Sequence, residues 1–156
     1  MNKRASLTLI AVLLATAPFA EADDRPAPSA DYSPGEVVGI VLRALATPDR
    51  PEPEAGIETT FRFASPANRA QTGPLERFKQ LVRNPVYAPL LGHERAIRGD
   101  MRVSGDRASE RVRVIADDGT RADFAFVLTR RPADADCAGC WMTDAVIRLQ
   151  PQGQSL

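Results

Sequence analysis

The spacing of apolar side chains changes once along this chain, near Leu91, and that change limits the folds open to it. Upstream, Val37, Val38, Val41, Leu42 and Leu45 fall at helical spacing, as do Leu75, Phe78, Leu81 and Val82. Downstream the period is two: Ile97, Met101 and Val103, then Val112 and Val114, then Ala122, Phe124, Phe126 and Leu128. Gly105-Asp106 and Asp118-Gly119 supply turn residues between these runs. A last strand is expected from about Cys140 to Leu149, with Trp141, Ala145, Ile147 and Leu149 on one face and Met142, Asp144 and Val146 on the other. Helices first and strands second predict an α+β domain, its N-terminal helices packed on a curved antiparallel sheet of about four strands.

The helix boundaries are written in prolines and caps. Ser33-Pro34-Gly35-Glu36 is a capping box with proline just inside the helix start, and Pro48, Pro51 and Pro53 follow the expected end at Ala46. Ile57, Phe61 and Ala64 predict a second helix that stops at Ser65-Pro66. A third begins at Gly73-Pro74 and ends at Asn84-Pro85, after which Val86 to Leu91 should run extended or irregular around Tyr87.

The first twenty-two residues have the layout of a secretory signal: Lys3 and Arg4, an apolar run from Leu7 to Leu14, then small residues at Ala20 and Ala22. Cleavage is expected after Ala22; the alternative is a retained N-terminal anchor. Residues 23–33, rich in Pro, Ala and Asp, read as a flexible leader, 34–150 as one domain and 151–156 as a tail. The expected location is the periplasm in a bacterium and the secreted fraction otherwise. Twenty basic and twenty acidic residues cancel, so no polybasic field exists to hold nucleic acid or anionic lipid. No later segment reaches the length of a membrane span, and no stable membrane insertion is expected after signal removal.

Three stretches carry a family resemblance: Phe63-Ala64-Ser65-Pro66-Ala67-Asn68-Arg69, Gly73-Pro74-Leu75-Glu76-Arg77-Phe78 and Pro85-Val86-Tyr87-Ala88-Pro89-Leu90-Leu91. Together with Trp141 they resemble the hallmark segments of an uncharacterised family, number 4864 among the domains of unknown function, over about Pro34 to Pro151. The resemblance implies the cone-shaped α+β fold of nuclear transport factor, scytalone dehydratase and ketosteroid isomerase, in which dimerisation through the open sheet face is common. It implies no activity and transfers no catalytic residue. Cys137 and Cys140 before Trp141 depart from the family pattern.

Several residues invite a chemical reading. Cys137-Ala138-Gly139-Cys140 has thioredoxin-type spacing, yet a strand follows it where a reactive thiolate would want a helix N-terminus. The first reading is a disulfide staple in the last hairpin turn; thiol exchange and metal binding are the alternatives, and a zinc site would lack ligands. His93 is the only histidine, expected at the surface or a strand end. Asp123 and Asp144 sit within strands between apolar neighbours; either would be a plausible base if buried in a pocket, or an outward residue if not. Phe61, Tyr87, Phe126 and Trp141 are candidate ligand contacts, although aromatic residues in a small domain are more often core. Arginines alternate along the strands at Arg95, Arg98, Arg102, Arg107, Arg111, Arg113 and Arg121, as on a solvated sheet face.

Taken together, the sequence favours a non-enzymatic exported module that binds a small apolar molecule or a protein partner in the cleft between helices and sheet. A pocket isomerase or dehydratase using Asp123, Asp144 or His93 is the alternative, and a thiol-disulfide protein the third reading. No cofactor and no metal are expected.

Overall fold

The computed structural model describes residues 23–151, so the expected signal segment and the tail beyond Pro151 lie outside the described residues. Four helices come first, α1 (Pro34–Ala46), α2 (Ala55–Arg62), α3 (Pro66–Thr72) and α4 (Leu75–Val82). Five strands follow, β1 (Arg95–Arg98), β2 (Arg102–Ser104), β3 (Arg107–Ile115), β4 (Arg121–Arg130) and β5 (Trp141–Leu149). The sheet is antiparallel and open, in the order β1-β3-β4-β5, with β2 also paired to β3. The fold is α+β, with helices packed on one face of the sheet.

Each helix start has a physical cause. Ser33 Oγ accepts from the Glu36 amide at 3.3 Å while the Glu36 carboxylate accepts from the Ser33 amide at 2.8 Å, the capping box expected for α1. Ser65-Pro66 does more than stop α2: Ser65 Oγ accepts from the Asn68 amide at 3.1 Å and Pro66 opens α3. The sequence reading missed α3 because its residues lack an apolar stripe. α2 can follow α1 closely only because residue 56 is glycine; a Cβ there would stand 2.0 Å from the Ala44 carbonyl oxygen. The stretch Val86 to Leu91, expected to be irregular, turns through a short 3-10 segment at Ala88–Leu90 after Asn84 Oδ1 accepts from the Val86 and Tyr87 amides.

One expected strand around Ile97 to Val103 is two strands, β1 and β2, which lie along β3 with Gly99 to Met101 between them. At the break Arg98 turns to the core side and grips Glu110, whose carboxylate is buried, at 2.5 and 2.6 Å; Arg98 also donates to the Gly35 carbonyl at 2.7 Å. The hydrogen bonds to Glu110 raise the already high pKa of Arg98. This pair ties the sheet edge to the first turn of α1.

Alternation holds along β3 and β4: Ala108, Glu110, Val112, Val114, Ala122, Phe124, Phe126 and Leu128 are buried under α1, together with Val37, Val38, Val41, Leu45 and Phe63. In β5 the expected faces need correction. A register shift opposite Val127 and Leu128 makes Asp144 an extra residue, so Trp141 and Thr143 share the core side with Val146 and Arg148, whereas Ala145 and Ile147 face away. A β-bulge adds one residue to a two-residue period and thereby inverts everything beyond it.

Residues 23–33, expected as a flexible leader, form no helix or strand, but they are fastened to the domain. Arg25 bonds Asp23 at 2.8 Å and Glu58 at 2.8 Å, Arg62 also bonds Asp23, and the Tyr32 ring lies 6.3 Å from that of Phe63. The web continues: Lys79, largely buried on α4, meets Glu54 at 2.8 Å and Glu58 and Glu76 at 3.3 Å, and Arg83 meets Glu54 at 2.6 Å. Leader, α2 and α4 are thus one ion-paired layer.

Hydrogen bonds from Arg25 and Arg62 hold the Asp23 carboxyl below its ordinary range, those from Lys79 and Arg83 do so for Glu54, and that from Arg25 does so for Glu58. A carboxylate whose folded pKa is depressed contributes stability that is complete above its unfolded pKa and lost as pH falls through the folded one. The melting temperature should therefore be flat above about pH 5 and fall steadily between about pH 4.5 and 2. Thermal melts across that range check it. Molar salt should flatten the acid limb in part, because these carboxylates are about a third exposed and so open to screening.

Candidate functional site

β5 meets the helices through its backbone at the bulge. Thr143 N–H donates to the Phe63 carbonyl at 2.7 Å, and the Thr143 carbonyl accepts from the Ser65 amide at 2.8 Å, forming a parallel bridge between the α2–α3 connection and the strand. Asn68 Nδ2 adds a bond to the same carbonyl at 3.2 Å, and Ser65 Oγ–H donates to Asp144 at 2.8 Å. The short α3 is pinned at its first turn.

Between this clasp and α4 the packing leaves an apolar cavity of about 70 Å³. Leu45, Phe78, Val82 and Leu90 form its buried wall, and half-buried Thr72, Leu81, Tyr87 and Val146 stand where it meets solvent. Thr60, Asn68 and Thr143 supply polar atoms. Thr60 Oγ1 donates to the Gly56 carbonyl and Thr72 Oγ1 to the Asn68 carbonyl, at 2.9 and 3.1 Å. Thr143 is only 5% exposed, and its hydroxyl oxygen has no hydrogen-bond partner. Such a group carries a desolvation cost that nothing in the fold repays.

The residues singled out in the sequence are scattered. Tyr87 lines the cavity, its ring 6.5 Å from Phe124, over which the Arg148 guanidinium stands at 5.1 Å. Phe126 and Trp141 are buried core. Phe61 packs against Phe78 at 5.2 Å under the Arg69 guanidinium, behind the cavity wall rather than on it. Asp123 lies on the open sheet face, gripped by Arg113 at 2.7 and 2.9 Å, and the Arg113 hydrogen bonds hold its carboxyl below the ordinary range. Asp144 is the bulge residue bound to Ser65. His93, expected at a surface or strand end, precedes β1 and is buried, its Nδ1–H donating to the Leu90 carbonyl at 2.7 Å. None of these three lines the cavity.

Cys137 and Cys140 are disulfide-bonded in the turn before β5, Cys140 buried and Cys137 half-buried near the Pro28 carbonyl at 3.6 Å. β5, not a helix, follows Cys140. Among the described residues no helix is long and apolar enough to cross a membrane, and no cluster of three or more metal-binding side chains occurs.

Residues 37–156 match the family model described as domain of unknown function (DUF4864). The chain belongs to this family. No curated protein and no solved structure matches it. The family segments quoted from the sequence acquire physical roles here: Phe63 to Arg69 holds the clasp and the start of α3, Gly73 to Phe78 opens α4, and Pro85 to Leu91 carries Tyr87 and Leu90 to the cavity.

Sequence reasoning missed Thr143, Asn68 and Glu110. Glu110 had a signal, since it shares the period of Ala108, Val112 and Val114; Thr143 and Asn68 had none, because their positions depend on a bulge and an unpatterned helix. Replacing Thr143 by valine should leave stability unchanged or raise it by up to about 1 kcal/mol, because an unpaired hydroxyl becomes a methyl of the same shape. Asp144→Ala should cost about 1 kcal/mol by releasing Ser65. Urea denaturation of both variants checks the pair.

Proposed function

We propose that this family member is a non-enzymatic binding module that takes a small apolar molecule into the cleft between helices and sheet. The observation that carries the reading is the apolar cavity under α4, walled by Leu45, Phe78, Val82, Leu90 and Val146 with a buried hydroxyl unpaired at its side. A small domain packs its interior at crystal-like density, so space of this kind has an energetic cost that a ligand can relieve. The acid-base reading has less support, because Asp123 is engaged by Arg113 and Asp144 by Ser65, away from the cavity. A thiol-exchange role would want the nucleophilic sulfur exposed at a helix start, whereas Cys140 is buried ahead of a strand.

The compartment we propose is exported: a disulfide persists where the surroundings oxidise thiols, and the first twenty-two residues have the layout of a secretory signal. The cone fold of nuclear transport factor is the architecture we favour, on the strength of helices covering one face of a bulged antiparallel sheet.

Native mass spectrometry of the protein from its host's exported fraction tests the binding reading. The expected spectrum carries an apolar adduct that Leu81→Trp, closing the cavity mouth, removes without lowering the melting temperature. A bare mass for the unaltered protein, before and after incubation with apolar extracts of the host, would overturn it.

A further inference from the structure

Arg43 on α1 and Arg98 on β1 bring two like charges together at one glycine. A Cβ at residue 39, one turn before Arg43, would stand 3.2 Å from Arg43 Nη1 and 3.2 Å from Arg98 Nη1. The two nitrogens therefore lie no further apart than twice that distance, over a residue whose missing side chain leaves them room. Arg98 has placed its other nitrogens: Nε and Nη2 donate to the Glu110 carboxylate, and Nη2 also to the Gly35 carbonyl. Its Nη1 makes no hydrogen bond among the described residues, and the Arg43 guanidinium makes neither a hydrogen bond nor an ion pair there. Both side chains are open to solvent, Arg43 exposed and that of Arg98 38% exposed. Buried Glu110 balances one of the two guanidinium charges, so the pair keeps a surplus of one.

The two arginines and Gly39 line a cleft of about 240 Å³ between α1 and β1. Leu42, Ala46 and Ala96 give it apolar surface, His93, whose Nδ1–H is already donated to the Leu90 carbonyl, also lines it, and no Asp or Glu does. It shares no lining residue with the cavity under α4. We propose that this cleft is a second ligand site, and that it binds a small aliphatic monocarboxylate. A guanidinium N–H reaches a carboxylate oxygen at about 2.8 Å, so a carboxylate with one oxygen on each Nη1 spans the gap between Arg43 and Arg98. Its alkyl chain lies against Leu42, Ala46 and Ala96. The single surplus charge matches a monoanion, whereas an inorganic dianion would exceed it and leave the apolar surface uncovered. Glu110 and Gly35 already hold Arg98 in place, so binding has only the Arg43 side chain to order.

The test is a series of amide NMR titrations of the full chain at neutral pH with sodium hexanoate, hexan-1-ol and sodium sulfate, followed at Gly39, Arg43 and Ala96. Hexanoate should shift these resonances saturably, and the alcohol and sulfate at the same concentrations should not. Arg43→Gln should weaken hexanoate about tenfold, the effect of one charge-assisted hydrogen bond. Arg102→Gln removes the same charge from an exposed strand position outside the cleft and should leave the affinity unchanged. A response to hexan-1-ol as strong as that to hexanoate, or an unaltered hexanoate affinity in Arg43→Gln, would overturn the guanidinium pair as the seat of the carboxylate. Sulfate binding as tightly as hexanoate would overturn the organic-acid assignment. Shifts centred on Tyr87 and Val146 would put hexanoate in the cavity under α4 and overturn the second site while supporting the reading of the first. Absence of any saturable shift at Gly39 and Ala96 would overturn the proposal whatever the cavity under α4 holds.

Discussion

The backbone clasp at Thr143 is the constraint on which the rest of the architecture depends. A sheet and a helix layer can slide over an apolar interface, because the hydrophobic effect has no direction. Hydrogen bonds do have direction, and here two backbone bonds, with Asn68 and Ser65 reinforcing them, fix one point of β5 against the start of α3. The bulge makes this possible. By adding Asp144 to the strand it interrupts pairing with β4 at Leu128, and a carboxylate becomes available to Ser65.

The helix layer is held from its other side by charge. Lys79 on α4 is surrounded by Glu54, Glu58 and Glu76, and the Glu54 hydrogen bond leads in holding its ammonium above the usual lysine range. A lone exposed ion pair contributes little, but here α4 shares carboxylates with α2, and Arg25 of the preceding segment shares Glu58. With α3 clasped to the sheet and α4 bridged to α2, Phe78 and Val82 are kept from closing fully onto Val146 and Leu90. The cavity is the space left between two anchored edges, and its largely apolar wall follows from which residues those anchors leave inward.

Much of this was legible in the sequence wherever one residue type has one physical consequence. Ser33-Pro34 and Glu36 specify a capped helix start, and the change of period near Leu91 specifies helices followed by strands. The same logic fails at Ser65-Pro66, where the proline reads as a stop although the preceding serine is also a cap. It fails in β5 too, where the bulge at Asp144 breaks the uniform alternation and inverts the faces beyond it. Tyr87 is legible because Pro85 and Pro89 on either side set it apart from regular structure. Thr143 could not be found that way, since its burial and its unpaired hydroxyl arise from residues about 75 to 80 positions away, the clasp of Phe63, Ser65 and Asn68.

Hydrogen exchange at the Thr143 and Ser65 amides, measured on the native protein, tests the role given to the clasp most directly. If the clasp unites the two layers, both amides exchange only on global unfolding, with the same protection free energy and the same denaturant dependence as Phe126 in the central strand. Exchange of both through a local opening, with no denaturant dependence while Phe126 remains protected, would show that the helix layer is held elsewhere and would contradict the account.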